Sequence, residues 1–251
     1  MSGFDLFFFG VYPYICLAVF FLGSLVRFDA AQYTWRSESS QLLDRGHLRW
    51  SSNLFHVGIL FLFFGHFFGM LTPHSVYSVV IGAPAKQVLA MVSGGIAGLA
   101  AIVGVSMLLA RRATEPHVRR QSRTRDYVVL GLFWIQLLLG LATIPLSAQH
   151  LDGSMMMVLA QWAQSIVVLQ PQPALVAPTS WVFKLHMIIG MTVFLILPFT
   201  RLVHIWSGFA TLYYAFRPYQ VVRSRRISIP DVPPEPTRRG TGCERWARAR
   251  W

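Results

Sequence analysis

The chain has 251 residues, of which 54% are hydrophobic and only 13% are charged, with a formal net charge of +12. Soluble domains carry about 25% charged residues, so this composition excludes an ordinary soluble fold and indicates a protein built into a membrane. The basic residues lie in short loops and in the C-terminal tail, which argues against nucleic-acid binding, and the two cysteines are too few for an iron–sulfur cluster, which takes four thiolates.

The predicted elements are membrane-spanning helices, each of which needs about 20 apolar residues. Five segments have that length and composition, at residues 4–26, 53–71, 88–110, 127–146 and 181–206. No basic region precedes the first segment, so we expect a retained span and not a cleaved signal peptide. Polar residues at the starts of two spans are the expected helix caps, namely Ser51, Ser52 and Asn53 for the second and Thr179 or Ser180 for the fifth.

Basic residues alternate between successive loops. The loops after the first and third spans and the tail after the fifth are rich in arginine. The loop after the second span contains only Lys86, and the loop after the fourth contains no lysine or arginine. Because basic loops stay in the cytoplasm, the sequence predicts an all-α, five-transmembrane-helix bundle with its N-terminus outside and its C-terminus inside.

Two segments outside the spans differ from them in composition. Residues 153–169 are apolar but short for a span, and we expect a helix there that lies at the outer interface. Residues 218–251 mix prolines with many arginines, which is typical of a disordered basic tail that contacts anionic lipid or a partner. We therefore predict one five-span domain at residues 1–217, followed by this cytoplasmic tail.

Four of the eight histidines fall inside predicted spans: His56 and His66 in the second, and His186 and His204 in the fifth. Ionisable residues are costly inside a bilayer and indicate function by default. A hydrogen bond to a neighbouring helix would explain a single intramembrane histidine without any function. Four histidines, two on each of two spans, favour a common role instead.

Depth within the membrane pairs these histidines. At 1.5 Å per residue, His66 lies about 15 Å from His56, and His204 about 27 Å from His186 if the helix is straight. The two spans run in opposite directions, so adjacency would bring His66 to His186 near the outer face and His56 to His204 near the inner face. His56 and His66 differ by about 80° around their helix, whereas His186 and His204, 18 residues apart, share a face. Helix crossing and a kink near Pro198 could absorb this mismatch.

Facing imidazoles in a helix bundle suit six-coordinate haem iron. The chain has no Cys-x-x-Cys-His motif, so the haems would be non-covalent and b-type. Four glycines are expected to let a flat macrocycle approach the helix backbones, at Gly58, Gly65, Gly69 and Gly190. We expect Gly94 and Gly98 to form a helix–helix contact.

Zinc binding and proton transport are the competing explanations for the histidines. The two pairs lie too far apart along the spans to form one tetrahedral zinc site. Proton relays in transporters use intramembrane carboxylates, and apart from Asp5 the predicted spans contain no Asp or Glu. A haem-free transporter therefore stays the alternative from a different functional class.

With these residues placed, the chain resembles the gamma subunit of membrane-bound respiratory nitrate reductase, a five-span di-haem cytochrome b. The resemblance extends over residues 4–217 and rests on six stretches: YPYI at 12–15, QYTWR at 32–36, NLFH at 53–56, GHFFGMLTPH at 65–74, IPLSAQHLDG at 144–153 and RLVHIW at 201–206. The tail beyond residue 218 departs from the family. Lys184 stands where an arginine-like residue is expected, and we expect this difference to matter little.

The resemblance implies that His56 and His204 bind the inner haem b and that His66 and His186 bind the outer one. It also implies a quinol site near His66 with Lys86 as a key contact, whereas the sequence alone would make Lys86 an interfacial snorkelling lysine. Electrons would pass from quinol through two haems to an iron–sulfur beta subunit and a molybdenum alpha subunit on the cytoplasmic face of a bacterial inner membrane.

Arginines at the predicted inner end have two interpretations. They are either partners of haem propionates or topology signals only, and the residues concerned are Arg36, Arg111, Arg112 and Arg201. Within the same chemistry, the alternative function is the cytochrome b subunit of another quinone-linked reductase or of a hydrogenase.

Overall fold

Five helices are long and apolar enough to cross a membrane in the computed structural model, which describes residues 2–31 and 48–206. They run Gly3–Ala30, Arg49–Leu71, Ala83–Thr114, Thr124–Ser147 and Trp181–Phe199. The described residues form helices and no strand, because a helix satisfies its own backbone hydrogen bonds where lipid offers no partner. The predicted all-α, five-span fold is confirmed. Arg36, the stretch 32–36, the domain boundary at 217 and the tail 218–251 lie outside the described residues.

The crossings pack side by side in an order that differs from chain order. The helices are α1 (Gly3–Leu6), α2 (Tyr12–Ala31), α3 (Leu48–Leu71), α4 (His74–Tyr77), α5 (Ala83–Thr114), α6 (Pro116–Gln121), α7 (Thr124–Ser147), α8 (Ser154–Val167) and α9 (Trp181–Ile196), and a π-helical turn, Phe7–Val11, joins α1 to α2. Helix α3 packs on α5, α5 on α7, α7 on α9 and α9 on α2. The two histidine-bearing crossings, α3 and α9, are thus linked through α5 and α7.

The two ends of the bundle differ in their basic residues. We call one the arginine end, where Arg27, Arg112 and Arg201 lie, and the other the lysine end, where Lys86 and Lys184 lie. At the arginine end, α3 begins at Leu48, so the expected caps Ser51, Ser52 and Asn53 lie inside the helix and that prediction was wrong. Ser180 does cap α9, since its hydroxyl oxygen accepts from the backbone N–H of Val182 at 3.4 Å.

The fifth crossing is not one continuous helix to residue 206, contrary to the predicted span. Helix α9 ends at Ile196, and two 3₁₀ turns follow, Leu197–Phe199 and Arg201–Val203. Pro198 has no N–H to donate, so the α-helical ladder stops there. Arg27 of α2 donates to the carbonyls of Pro198 at 2.6 Å and Thr200 at 2.8 Å. These hydrogen bonds satisfy backbone acceptors that the helix break would otherwise leave unpaired.

Glycines bring α3 and α5 into backbone contact. A Cβ on Gly58 would stand 2.7 Å from the carbonyl oxygen of Ala97, and one on Gly104 would clash with the backbone N of Phe55. Gly58 therefore faces α5 and does not provide the macrocycle clearance that we expected of it. Gly98 contacts Leu141 of α7, whereas a Cβ on Gly94 would meet no atom within 4 Å, so only Gly98 makes the expected helix contact.

The IPLSAQHLDG stretch forms the joint between α7 and α8. Gly153 has φ +85, and a Cβ there would stand 2.8 Å from the backbone of Ala83, so only glycine fits. Gln87 of α5 donates to the carbonyls of Ser147 at 2.9 Å and His150 at 2.7 Å. These contacts seat α8 against α3 and α5.

Candidate functional site

At the lysine end, His66 of α3 and His186 of α9 face each other. Their ring centroids are 6.2 Å apart, with an angle of 41° between the ring planes. The Nδ1 of His66 lies 2.7 Å from the carbonyl oxygen of Leu62, one turn earlier in the same helix. The Nδ1 of His186 lies 3.2 Å from the carbonyl oxygen of Gln136 in α7.

At the arginine end, His56 of α3 and His204 form the second couple. Their ring centroids are 6.3 Å apart, with 68° between the planes. The Nδ1 of His56 lies 2.7 Å from the carbonyl oxygen of Ser52, and the Nδ1 of His204 lies 2.6 Å from that of Arg201. The helix break at Pro198 precedes His204 and lies where the sequence suggested a kink.

All four Nδ1 atoms share one kind of partner, and this fixes the chemistry of the rings. A backbone carbonyl only accepts hydrogen bonds, so each neutral ring carries its proton on Nδ1 and presents the lone pair of Nε2. A metal-bound histidine is oriented in the same way, by donating its other N–H to a carbonyl or carboxylate. The arrangement therefore suits metal ligation through Nε2.

Sequence reasoning missed two residues that position His186. Gly140 of α7 leaves room for the imidazole, since a Cβ there would stand 3.0 Å from Cε1 of His186. Gln136, one turn earlier on α7, supplies the carbonyl for Nδ1, and its amide nitrogen lies 3.5 Å from Nε2. Residues four apart share a helix face, so the spacing of Gln136 and Gly140 was the available signal. Gly190, expected to face a macrocycle, would carry a Cβ 3.0 Å from that amide nitrogen.

Lys86 lies against the C-terminal end of α3, one turn beyond His66. Its Nζ donates to the carbonyl of Gly69 at 2.9 Å and stands 3.4 Å from the ring centroid of Tyr77. Gln164 of α8 donates to the next carbonyl, that of Met70, at 2.9 Å. A lysine at a helix C-terminus satisfies free carbonyls and offsets the helix dipole, so Lys86 has a structural role beside any role with substrate.

A buried carboxylate lies at the arginine end, contrary to the expectation that Asp5 is the only acidic residue in the spans. Helix α7 begins at Thr124, so Asp126 belongs to its first turn, and it is 2% exposed. Its Oδ1 lies 3.0 Å from Nε of Arg201, and its Oδ2 lies 3.6 Å from Nη1 of Arg112. Two of the four arginines proposed for propionates therefore already share a protein carboxylate.

Comparison with known proteins identifies the family. The model of the nitrate reductase gamma subunit family matches residues 5–225. The chain is 54% identical to the respiratory nitrate reductase 2 gamma chain of Escherichia coli over 88% of this chain and 98% of that protein. It is 49% identical to the respiratory nitrate reductase 1 gamma chain of the same organism, over 90% and 100% of the two chains. The chain belongs to the nitrate reductase gamma subunit family. A more distant relative, the nitrate reductase gamma chain of Bacillus subtilis, is 35% identical over 86% of this chain and 96% of its own.

Membership defines the protein's class. As a gamma subunit, the chain is a membrane subunit of a respiratory nitrate reductase and thus an electron-transfer part of an oxidoreductase. Its five apolar helices make it a multi-pass protein of the bacterial inner membrane. The predicted family, enzyme class and localisation are confirmed.

Lys184 has a larger role in this gamma subunit than we expected. It is buried, and its Nζ lies 2.9 Å from Oδ1 of Asp5 and donates to the carbonyl of Ala177 at 2.8 Å. The pair joins the first crossing to the fifth, two residues before His186. A buried charge needs such a partner, so Asp5 and Lys184 act as one unit.

Outside the spans, the carboxylate of Asp152 has its pKa lowered by hydrogen bonds in the joint between α7 and α8. The hydroxyl and the backbone N–H of Ser154 donate to Oδ1 of Asp152 at 2.7 Å and 3.2 Å. These hydrogen bonds favour the ionised form and hold the pKa of Asp152 below its usual value. The carboxylate thus stabilises the first turn of α8.

Proposed function

We propose that the chain holds two b-type haems, one at each histidine couple, and that it oxidises quinol at the lysine end. Electrons then leave at the arginine end for the iron–sulfur and molybdenum subunits of the nitrate reductase. The observation that carries the proposal is the pair of facing imidazole couples at 6.2 and 6.3 Å, with every Nδ1 engaged by a backbone carbonyl.

The distances fit one metal ion between two rings. A metal bound to an imidazole nitrogen at about 2 Å on each side separates the two ring centroids by about 6 Å. Each couple offers two imidazole nitrogens, which is the number of protein ligands that a b-type haem would take. His56 and His204 would hold one group, and His66 and His186 the other.

The two couples divide the electron path into two steps. His56 and His66 are ten residues apart on α3, which separates the couples by about 15 Å along the axis of that helix. A bound haem supplies one-electron redox chemistry at each couple. The side chains keep both positions fixed, since each Nδ1 hydrogen bond prevents rotation of its ring.

The quinol site in this proposal lies between His66 and Lys86. The ammonium group of Lys86 is within one helical turn of His66, and a positive charge there favours loss of a proton from a quinol hydroxyl. The hydrogen bond from Lys86 to the carbonyl of Gly69 and the contact of its ammonium group with the Tyr77 ring hold Lys86 in position. Protons released at this end would leave on the outer side, if the basic loops lie in the cytoplasm.

The arginine end would face the soluble subunits. With the N-terminus outside and the C-terminus inside, this end lies in the cytoplasm, where the iron–sulfur beta subunit docks and the molybdenum alpha subunit reduces nitrate. Two guanidinium groups, those of Arg112 and Arg201, share the single carboxylate of Asp126. This cluster therefore carries a net positive charge and, with buried Arg111 at the same end of the bundle, it would attract haem propionates.

Quinol-driven nitrate reduction in membranes that contain the whole complex tests the proposal. His66→Ala should abolish quinol-driven activity and remove one b-type absorbance band, because the couple at the quinol site loses an axial ligand. A His150→Ala variant, which changes a histidine in the joint before α8, is the matched control. It should keep both the quinol-driven activity and the b-type absorbance of the wild type. Full activity in His66→Ala would exclude this couple from the electron path, and wild-type complex without b-type bands would refute the haem proposal.

A further inference from the structure

Asp126 is a buried carboxylate that the proposed electron path does not use. It is 2% exposed, and its two oxygens each face a guanidinium, that of Arg201 at 3.0 Å and that of Arg112 at 3.6 Å. Its Oδ2 also accepts from the backbone N–H of Arg123 at 3.1 Å. A carboxylate this deep in a protein is retained only with such partners, and its charge acts over long distances in a medium of low dielectric.

The chain of contacts continues from Asp126 to a histidine of the arginine-end couple. Arg201, whose side chain pairs with Asp126, uses its own carbonyl to accept from Nδ1 of His204 at 2.6 Å. This carbonyl belongs to the 3₁₀ turn Arg201–Val203, beyond the break at Pro198, and it also accepts from the backbone N–H of His204. The position of His204 therefore depends on what anchors Arg201.

Arg27 and Asp126 anchor this turn from neighbouring helices, and the hydroxyl of Thr200 caps it by accepting from the backbone N–H of Leu202 at 3.2 Å. Arg27 donates to the carbonyls of Pro198 and Thr200 on the incoming side, and Asp126 holds the side chain of Arg201 from α7. His186, by contrast, lies within the regular helix α9 and takes its carbonyl from Gln136. The two couples thus differ among the described residues: the carbonyl that orients His204 belongs to a residue held by an ion pair, whereas the carbonyl that orients His186 belongs to helix α7.

We propose that Asp126 is a positioning residue for His204 and sets the redox potential of the metal centre at the arginine end. The carboxylate fixes Arg201, whose carbonyl orients the imidazole, and its negative charge stabilises the more positive, oxidised iron. The proposal rests on the proposed function, since it requires a haem at the couple of His56 and His204. It predicts that the two haems respond differently to one substitution.

The test is a redox titration of the b-type bands in membranes that contain the full complex. Asp126→Asn keeps the size of the side chain and removes the charge, so the arginine-end haem should titrate at a higher potential while the lysine-end haem is unchanged. Asp126→Glu should restore the wild-type potential in whole or in part. Asp152→Asn, which removes an exposed carboxylate before α8, is the matched control and should change neither haem.

Each outcome separates the two proposals. Equal potentials in wild type and Asp126→Asn would overturn the role of Asp126, and so would equal shifts or equal losses of both haems, which would indicate general destabilisation. If Asp126→Asn does not accumulate, Arg112→Gln removes a cation beside the same carboxylate. It should lower the potential of the arginine-end haem, and an unchanged or raised potential would overturn the proposal. Absence of b-type bands from the wild-type protein would instead refute the proposed function.

Discussion

Single residues set the orientation of the four imidazoles. Each Nδ1 meets a carbonyl oxygen, and three of these carbonyls lie three or four residues earlier in the chain, at Ser52, Leu62 and Arg201. The fourth, at Gln136, comes from a neighbouring helix. Backbone acceptors are not removed by side-chain substitution, so the orientations of His56, His66 and His186 depend mainly on helix positions. The orientation of His204 depends in addition on the side chains that anchor Arg201 and its turn.

Lys86 gives the first residue-level prediction. Lys86→Ala should reduce kcat/KM for quinol by about 10- to 100-fold, because a hydrogen bond to a charged group contributes about 1.5–3 kcal/mol. Lys86→Arg should retain part of the activity, since it keeps the charge and the contact with Tyr77. Steady-state assays with a quinol donor measure the effect, with haem spectra recorded in parallel. Unchanged quinol kinetics in Lys86→Ala would show that Lys86 caps α3 and has no role in quinol binding.

The ion pair of Asp5 and Lys184 gives the second residue-level prediction. Lys184→Met leaves the Asp5 carboxylate without its partner, and we expect the free energy of unfolding to fall. The double variant Asp5→Leu with Lys184→Met should lose much less, since an apolar pair can replace a buried ion pair at little cost. Thermal unfolding in detergent compares the three proteins. Additive losses in the double variant would contradict the pairing.

At the scale of helices, small residues decide which crossings approach each other. Gly58 and Gly104 bring α3 and α5 together, and Gly140 lets α7 reach the ring of His186. Because α5 and α7 lie between the two histidine-bearing crossings in packing order, these glycines control the distance across each couple. The positions of the couples thus depend on contacts distant from the histidines in sequence.

Gly140 allows a test that selects one couple. Gly140→Leu would fill the space of the His186 ring, where even a Cβ stands 3.0 Å from Cε1, so the lysine-end haem should be lost while the other stays. Gly131→Leu, on the same helix, is the matched control because a Cβ there meets nothing within 4 Å. Difference spectra count the haems in each variant. Retention of both haems in Gly140→Leu would be incompatible with this site.

Gly104 tests the helix contact by stability. Gly104→Ala would force α3 away from α5, since its Cβ would clash with the backbone of Phe55, and overpacking of this kind costs about 1–3 kcal/mol. Gly94→Ala, on the same helix in open space, should leave Tm unchanged or raise it slightly, because alanine favours helix over glycine. If the two variants had the same Tm, α3 and α5 would not pack as described.

For the whole molecule, hydropathy and histidine depth predicted most of the architecture. The five spans follow from apolar length alone, and the two couples follow from counting residues along antiparallel helices at a fixed rise. Helix ends were less accurate: α5 extends past its apolar core at both ends, to Ala83 and Thr114, because a helix does not stop where its polar residues begin. The same uncertainty hid Asp126 from the predicted fourth span.

What the sequence could not predict comes from contacts between distant segments. Pro198 marked a kink, but the length of the break depends on Arg27 of α2, which satisfies the carbonyls that the break exposes. Likewise α8 was recognised as a short apolar helix, yet its packing on α3 and α5 depends on Gln87 and Gly153. Orientation in the membrane stays a prediction from the basic loops.

The most direct test of the account is haem content and spectrum in four single variants of the complex: His56→Ala, His66→Ala, His186→Ala and His204→Ala. Wild type should contain two b-type haems per chain with distinguishable redox transitions. His66→Ala and His186→Ala should lose the same haem, and His56→Ala and His204→Ala should lose the other haem, because the two histidines of a couple bind one iron. Colourless wild-type protein, or losses that group the histidines by helix instead of by couple, would contradict the account.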